Sequence, residues 1–345
     1  MSIPYRARRA LRNMAVGLMV LALFASLVLL CWLLWLNRYV IYSRDGAKID
    51  FNLSIHYQPG EKPVKPERGE QIVIHDRVDE NDPENVSKEM TNFSGYYVTL
   101  EELTKDFDNV SKKLTALPAG TAVMMELRDS RGRAYYTSSV AVQAKFDTEK
   151  VDKLLQDLQD QGIYVIVSIN AFQEYEYMLE DERDRVPYGL AKVGGTGSLW
   201  LDTSNSCYWL DPTSDGTLTR LIQLLTELRG KGIDEVVFSN FRFPNTDKIR
   251  FDGDKMAALT ECAAKLVRTC ATDSFCVSFR RSEPDLTLPA DRTRLYLSGI
   301  SGIDIADTAA QTGFENPNIQ LVFLTDSGDA RFDEYCALRP MEMVP

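Results

Sequence analysis

The stretch DEVVFSNFRFP, residues 234–244, decides the predicted fold. Its first half is a short apolar run, which is typical of a strand buried on both faces. Its second half is a polar loop that carries Ser239, Asn240 and Arg242. An amphipathic helical pattern precedes the stretch and stops at Gly230. A helix, a buried strand and a polar loop form the repeating unit of an α/β barrel, in which the working residues follow the strands.

The same unit repeats on both sides of this stretch. Helical patterns with one apolar face begin near Asp147, Asp215 and Asp254. The pattern predicts an α/β fold, a TIM-like (β/α)8 barrel. A distorted barrel or a doubly wound sheet is the alternative, because residues 280–293 show no helical pattern. The eight predicted strands are residues 95–99, 122–127, 163–169, 207–210, 234–238, 275–279, 295–297 and 319–324.

The N-terminal region predicts a membrane anchor. Residues 14–36 contain no charged side chain, and at about 1.5 Å per residue they span a hydrocarbon core of about 30 Å. Arginines but no acids precede this segment, so the positive-inside rule predicts a cytoplasmic N-terminus and an extracytoplasmic remainder. A cleaved signal peptide is the alternative, although its apolar region is usually shorter and ends in small residues.

Four segments are therefore predicted along the chain. Residues 1–13 form a basic cytoplasmic tail and residues 14–36 a single transmembrane helix. Residues 37–94 form an extracytoplasmic stalk with one or two strands, and residues 95–345 form the barrel domain. The predicted location is the cell membrane, with the barrel outside.

The charge of the chain argues against one class of partner. Residues 1–44 hold six arginines and no acid, so the other 33 basic and 50 acidic residues give the rest of the chain a net charge of −17. A domain this acidic is a poor binder of nucleic acid. Its only predicted membrane contact is the N-terminal helix.

The residue inventory excludes several kinds of chemistry from the barrel. The two histidines, His56 and His75, both precede it, so a histidine-based triad or metal site inside it is excluded. No CxxC pair is present, and we predict neither a metal nor a cofactor. The cysteines at 262, 270 and 276 are either buried thiols on and after a helix or include one disulfide.

Carboxylates, arginine and aromatic residues remain, and this combination suits carbohydrates. Paired acids cleave glycosidic bonds, while indole faces stack on sugar rings. Because these side chains follow predicted strands, we expect them to gather at one end of the barrel. The candidate catalytic residues are Asp211, Glu126 and Asp304, and the candidate substrate-binding residues are Trp200, Trp209, Arg242, Asp129, Asn240 and Ser239.

Several of these residues also have a structural interpretation. Asp211 precedes Pro212, as a helix N-cap often does. Arg242 can pair with a carboxylate of the barrel, and Trp200 and Trp209 can be core or loop-packing residues.

Four blocks of the chain resemble the bacterial putative glycosyl hydrolase domain family of α-amylase-like barrels. They are GYYVT at 95–99, VMMELRDSRG at 123–132, GIYVI with FQE at 162–174, and LW with WLDP and the 234–244 stretch further on. The resemblance covers roughly residues 95–325 and implies a (β/α)8 fold on a membrane-anchored surface protein. It also implies a substrate that is a cell-surface or environmental polysaccharide.

The chain departs from this family at three positions. The family's fifth-strand block usually has an aspartate where this chain has Ser239 and Asn240. Its third-strand arginine is replaced by Ser168, and its second-strand aspartate by Glu126. Neither serine nor an amide can act as a carboxylate nucleophile.

Three functions therefore stay open. The first is a glycoside hydrolase with Asp211 and Glu126 as its acid pair, which requires two facing carboxyl groups. The second is a degenerate barrel that binds a glycan or an envelope protein without cleavage. The third is a structural envelope protein whose barrel mouth is plugged by its own stalk or loops.

Overall fold

The computed structural model describes residues 40–43, 46–49, 90–175, 189–193, 199–290 and 292–343. The chain divides into two compact units, residues 1–76 and 77–345. In the first unit, β1 (Val40–Ser43) and β2 (Gly46–Ile49) form an antiparallel pair in which Val40 lies opposite Ile49.

The predicted transmembrane helix, residues 14–36, lies outside the described residues, as does most of the predicted stalk. Within the described ranges, no helix combines the length and the apolar character that crossing a membrane requires.

The second unit contains a closed barrel of eight parallel strands, which confirms the predicted barrel. Each strand pairs with the next along the chain, and the last pairs with the first. The barrel strands are β3 (Ser94–Val98), β4 (Ala122–Glu126), β5 (Tyr164–Asn170), β10 (Glu235–Ser239), β12 (Cys276–Arg281), β13 (Leu295–Ser298), β14 (Leu321–Leu324) and β15 (Cys336–Pro340).

One strand prediction is wrong, and one barrel strand is missing from the predicted set. Residues 207–210 are not the fourth barrel strand: β9 (Cys207–Trp209) pairs antiparallel with β6 (Gln173–Glu174) and β8 (Leu201–Asp202) in a separate small sheet. The eighth strand is instead β15, whose CALRP sequence has no β-branched residue to signal a strand. The 234–244 stretch therefore contains the fourth barrel strand and not the fifth.

The helices cover the outside of the barrel. Thr99 is the N-cap of the first helix and forms a capping box with Glu102. The side chain of each residue accepts a hydrogen bond from the backbone N–H of the other. The described part of residues 282–294 contains no helix, as its sequence suggested. The described α-helices are α1 (Leu100–Lys105), α2 (Phe107–Leu114), α3 (Thr148–Asp160), α4 (Asp215–Gly230), α5 (Lys255–Cys270), α6 (Ile305–Thr312) and α7 (Pro317–Gln320). Two further strands, β7 (Ala191–Lys192) and β11 (Ile249–Arg250), pair outside the barrel.

The apolar core has two layers, because side chains alternate along each strand. On β4, Ala122 and Met124 belong to the layer inside the barrel, whereas Val123 and Met125 pack against the helices. Strands β3 and β4 approach so closely that a Cβ on Gly95 would lie 1.8 Å from the Ala122 carbonyl oxygen. Only glycine fits at that position.

Candidate functional site

The carboxyl ends of the strands surround a cavity of about 900 Å³ at one end of the barrel. We call this cavity the mouth. Its lining comes mainly from the ends of β4, β5, β10 and β12 and from the loops that follow them. Five predicted site residues line it, namely Glu126, Asp129, Ser239, Asn240 and Arg242.

Glu126 ends β4 and is held at both carboxylate oxygens. Arg280, at the end of β12, donates from Nη1 to its Oε1 at 3.2 Å. The backbone N–H of Leu100, at the start of α1, donates to its Oε2 at 3.3 Å. About a third of each charged side chain remains exposed, so both are accessible from the mouth.

Asp129 lies in the loop after β4, where its carboxylate organises the turn. Its Oδ1 accepts from the backbone N–H groups of Arg131 and Arg133 at 2.9 and 3.0 Å. Its Oδ2 accepts from Arg133 Nε at 2.8 Å. With three donors in place, this carboxylate fixes the loop that forms one wall of the mouth.

The end of β10 presents a hydroxyl and an amide to the mouth. Asn240 adopts a φ of 49°, a left-handed conformation that asparagine tolerates better than most residues. Its Nδ2 donates to Asn170 Oδ1 at 2.9 Å and to Gln173 Oε1 at 3.0 Å. The Asn240 side-chain amide is therefore a hydrogen-bond donor in this network.

A buried ion pair supports the mouth from below. Arg128 follows β4 and binds both the carboxylate of Glu174 and the backbone oxygen of Asn170. Arg220 of α4 approaches the same Glu174 oxygen at 3.4 Å. The backbone at Gly132 lies against this carboxylate, since a Cβ there would be 1.9 Å from Glu174 Oε2.

A second cavity, of about 640 Å³, adjoins the mouth, and we call it the side groove. Arg242 and Asn245 line both cavities. The Arg242 guanidinium carbon lies 5.1 Å from the centre of the Trp209 ring. Trp209 itself is buried, while Trp200 is half-buried and lines the groove. The two predicted tryptophans are thus near the mouth but do not line it.

Asp202 also lines the side groove, and its carboxylate is satisfied by its own loop. It accepts from Trp209 Nε1 at 3.1 Å and from Asn205 Nδ2 at 2.8 Å. Burial raises the pKa of Asp202, but hydrogen bonds from Asn205, Trp209 and the backbone N–H of Ser204 outweigh burial and lower the pKa overall.

Residues 95–274 match a family model described as a putative glycosyl hydrolase domain, which is more than half of the chain. The chain belongs to this family. No curated protein matches the chain.

Solved structures resemble this member of the putative glycosyl hydrolase domain family at low identity. A hypothetical protein from Ruminiclostridium thermocellum is 23% identical, with a TM-score of 0.43 over 53% of this chain and 96% of that one. A cycloisomaltooligosaccharide glucanotransferase from Paenibacillus sp. is 11% identical, with a TM-score of 0.48 over 68% of this chain and 38% of that one. Eubacterium rectale Amy13B is 11% identical, with a TM-score of 0.44 over 72% and 65%. The chain spans less than two thirds of the last two proteins.

Two candidate catalytic residues of this glycosyl hydrolase domain do not line the mouth. Asp211 follows β9, which is outside the barrel, and its Oδ1 accepts from the Thr213 backbone N–H and hydroxyl at 2.9 and 2.7 Å. It therefore shapes the turn before α4, whose N-cap is Ser214. Asp304 is exposed at the N-terminus of α6. Asp211 was expected at the mouth because residues 207–210 were predicted to be the fourth barrel strand.

Several residues of the mouth were missing from the predicted set. Arg280 and Arg281 end β12, and Arg281 binds Asp285 at 2.6 Å and the Phe241 backbone oxygen at 2.7 Å. Glu283 lies in the same loop and is exposed. Their position directly after a predicted strand was the available signal.

The opposite end of the barrel holds a buried polar cluster in place of a site for chemistry. Arg294 binds Glu235 at 2.5 Å, and both side chains are almost wholly buried. The hydroxyls of Tyr164 and Tyr296 each donate to Glu235 at 2.9 Å. Arg294 also donates to the Thr91 backbone oxygen. Each of these four side chains therefore has a polar partner in the cluster.

The five described cysteines are free and buried, so the alternative of a disulfide among residues 262, 270 and 276 is wrong. Burial raises the pKa of Cys262 to about 12 and that of Cys270 to about 11. Such thiols carry little thiolate at neutral pH and are poor nucleophiles. The described residues contain no cluster of His, Cys, Asp and Glu that could hold a metal ion.

Proposed function

We propose that this chain is a membrane-tethered, extracytoplasmic barrel that binds a cell-surface or environmental polysaccharide at its mouth without cleaving it. The observation that carries the proposal is the composition of the mouth. The fourth barrel strand ends in a serine and an asparagine, and Glu126 and Asp129 are each bound by an arginine.

The mouth is suited to binding sugar hydroxyl groups. Amides and hydroxyls that can donate and accept face the cavity beside arginines that can only donate. Its volume of about 900 Å³ lies in the range of small-molecule sites. The neutral polar groups that line it are Ser130, Asn170, Ser239, Asn240, Asn245, Ser282 and Ser298.

The acids of the mouth do not form an evident catalytic pair. Glycoside hydrolysis requires one protonated carboxylic acid and one free carboxylate. Both oxygens of the Glu126 carboxylate already accept hydrogen bonds, from Arg280 and from the Leu100 backbone N–H. Asp129 has its oxygens occupied by its own loop, and Asp285 is bound by Arg281.

Hydrolysis is the second candidate, and one observation favours it. Glu126 and Glu283 both line the mouth, and no ion pair links Glu283 to another described residue. In a hydrolase, Glu126 would act as nucleophile or base and Glu283 as the acid. Asp211, the partner predicted for Glu126, does not line the cavity.

A binding and cleavage assay separates the two candidates. Full-length protein in mild detergent is presented with neutral and acidic polysaccharides, and both binding and new reducing ends are measured. Arg280→Gln, in the mouth, should weaken binding about tenfold, because a hydrogen bond to a charged group contributes about 1.5–3 kcal/mol. Arg268→Gln, on the exposed side of α5, is the matched control.

The readouts decide between binding and hydrolysis. Saccharide binding that Arg280→Gln weakens, with no reducing ends released, supports the proposal. Release of reducing ends that Glu126→Gln abolishes would establish the hydrolase instead. Binding unaffected by Arg280→Gln would place the ligand elsewhere.

The membrane tether is tested separately in bacterial cells. Carbonate washing should leave the chain in the membrane fraction at its full mass, and protease added outside the inner membrane should digest the barrel. A shortened soluble chain would show that residues 14–36 belong to a cleaved signal peptide.

A further inference from the structure

The side groove carries an excess of positive charge. Lys192, Arg242 and Lys248 line it and are exposed. None of the three forms an ion pair with an acid among the described residues.

Among the described residues, the one acid that lines the groove offsets only part of this charge. Asp202 accepts four hydrogen bonds from its own loop and from Trp209, so its oxygens point inward to the protein. Three cations against this one carboxylate leave the described lining of the groove positive. This is unusual on a chain whose formal net charge is −11, and it favours an anion.

The groove also has a surface for a sugar ring. Trp200 is half-buried in its wall, and Leu201 beside it keeps 39% of its surface exposed. Ser204, Asn205 and Thr246 add neutral polar groups. An apolar face beside polar groups fits a pyranose ring, which has one apolar face and a rim of hydroxyls.

The pairing of β7 with β11 holds in place the backbone that carries Lys192 and Lys248. Lys192 lies opposite Ile249, and the Val193 backbone N–H donates to the Lys248 carbonyl oxygen at 2.8 Å. The Arg242 guanidinium is held by its own contact with Trp209 and by a hydrogen bond to the Phe243 oxygen at 3.1 Å. Two of the three positive charges are thus carried by paired backbone in the lining of one cavity.

We propose that the side groove binds the anionic group of an acidic saccharide, a carboxylate or a phosphate, while the neighbouring sugar units occupy the mouth. The inference rests on the proposed function for the saccharide nature of the ligand. Arg242 and Asn245, which line both cavities, connect the two parts of the binding surface.

Matched probe pairs test this specificity in the full-length protein in detergent. Oligogalacturonate is compared with its methyl ester for the carboxylate, and glucose 6-phosphate with glucose for the phosphate. Binding is measured by calorimetry at low and high salt. We expect the anionic member of at least one pair to bind more tightly, and its advantage to shrink at high salt as charges are screened.

Variants locate the anion. The double variant Lys192→Gln/Lys248→Gln should weaken binding of the charged probe about fourfold or more, at about twofold or more for each exposed charge pair. It should leave binding of the neutral probe unchanged. The control double variant Lys112→Gln/Lys153→Gln removes two exposed charges outside the groove and should change neither.

Three outcomes would overturn the inference. Equal binding of charged and neutral probes would leave a neutral-saccharide site and keep the proposed function. Charged-probe binding that survives the groove variant but is lost in Arg280→Gln would place the anion in the mouth. Failure of every probe to bind would contradict the proposed function as well.

Discussion

At the scale of single residues, two acids of this barrel have opposite surroundings. Glu235 is fully buried and neutralised by Arg294, whereas Asp202 lies in a loop whose neutral groups donate to it from several sides. Burial raises the pKa of Asp202, and these hydrogen bonds lower it. Each therefore depends on its partners, and removing the partner or the acid should have a measurable cost.

Replacing Glu235 with glutamine should destabilise the barrel strongly. The change leaves Arg294 charged and without its carboxylate in the interior, and breaking a buried pair in this way costs about 3–5 kcal/mol. The measurement is the free energy of unfolding in urea. Tyr296→Phe, which removes one hydrogen bond to the same acid, is the milder comparison at about 1 kcal/mol. Equal stability of Glu235→Gln and the wild type would mean that the cluster contributes nothing.

The contribution of Asp202 should depend on pH. Its folded-state pKa is lowered, so it stabilises the fold above its unfolded pKa of about 3.9, and this contribution is lost as the pH falls through the folded pKa. At pH 7, Asp202→Asn should cost about 1–2 kcal/mol, since hydrogen bonds to a charged acceptor are lost. The difference from the wild type should shrink below pH 4. A constant difference across pH would contradict this assignment.

The sequence predicted that a residue lies at the mouth correctly only where the strand before it was predicted correctly. Glu126 and Asn240 reach the mouth because β4 and β10 were identified, and the polar residue after a parallel strand must lie at its carboxyl end. Asp211 followed a segment that was not a barrel strand. The contacts of Glu126 with Arg280 join residues far apart in the chain, and no local pattern indicates such a pairing.

At the scale of elements, the two strand errors have one cause. β9 and β15 both carry a few apolar residues, and periodicity does not distinguish a barrel strand from a short strand in a small sheet. The strands with which each segment pairs determine which sheet it joins. β9 pairs with β6 and β8, whereas β15 pairs with β14 and β3 and so completes the barrel. The remaining seven barrel strands lie on apolar runs that the sequence already showed.

Removing β15 should abolish cooperative folding. A chain that ends after Glu334 leaves β14 and β3 without the strand that joins them. We expect loss of the sharp thermal transition and aggregation through the open edges. A chain that ends after Met343 retains every described strand and is the control. A sharp transition in the shorter chain would show that the barrel does not need this strand.

Helix α4 holds the loop after β4 through one side chain. Glu227 accepts from the hydroxyls of Tyr136 and Ser138 and from the backbone N–H of Ser139. Burial raises its pKa, but these hydrogen bonds lower it overall. Glu227→Ala should therefore release residues 136–140, which limited proteolysis and hydrogen exchange would detect as local opening. Glu261→Ala, on the exposed side of α5, should leave both readouts unchanged.

At the scale of the whole molecule, the closed core should protect every described cysteine. Burial raises the pKa of Cys207 to about 12 and that of Cys336 to about 11. In native Cys31→Ser protein we expect no reaction with a thiol reagent over minutes, and five reactive thiols after unfolding in guanidinium. Rapid reaction of the native protein would show that the barrel opens readily.

Closure of the barrel by β15 and β3 has a consequence during synthesis. Strand β3 leaves the ribosome long before β15, whose Ala337 is the register partner of Ser94, has been made. Until then, both ends of the growing sheet expose unpaired backbone that can join another nascent chain. Production of this protein should therefore depend on chaperones that cover the exposed edges of the incomplete sheet.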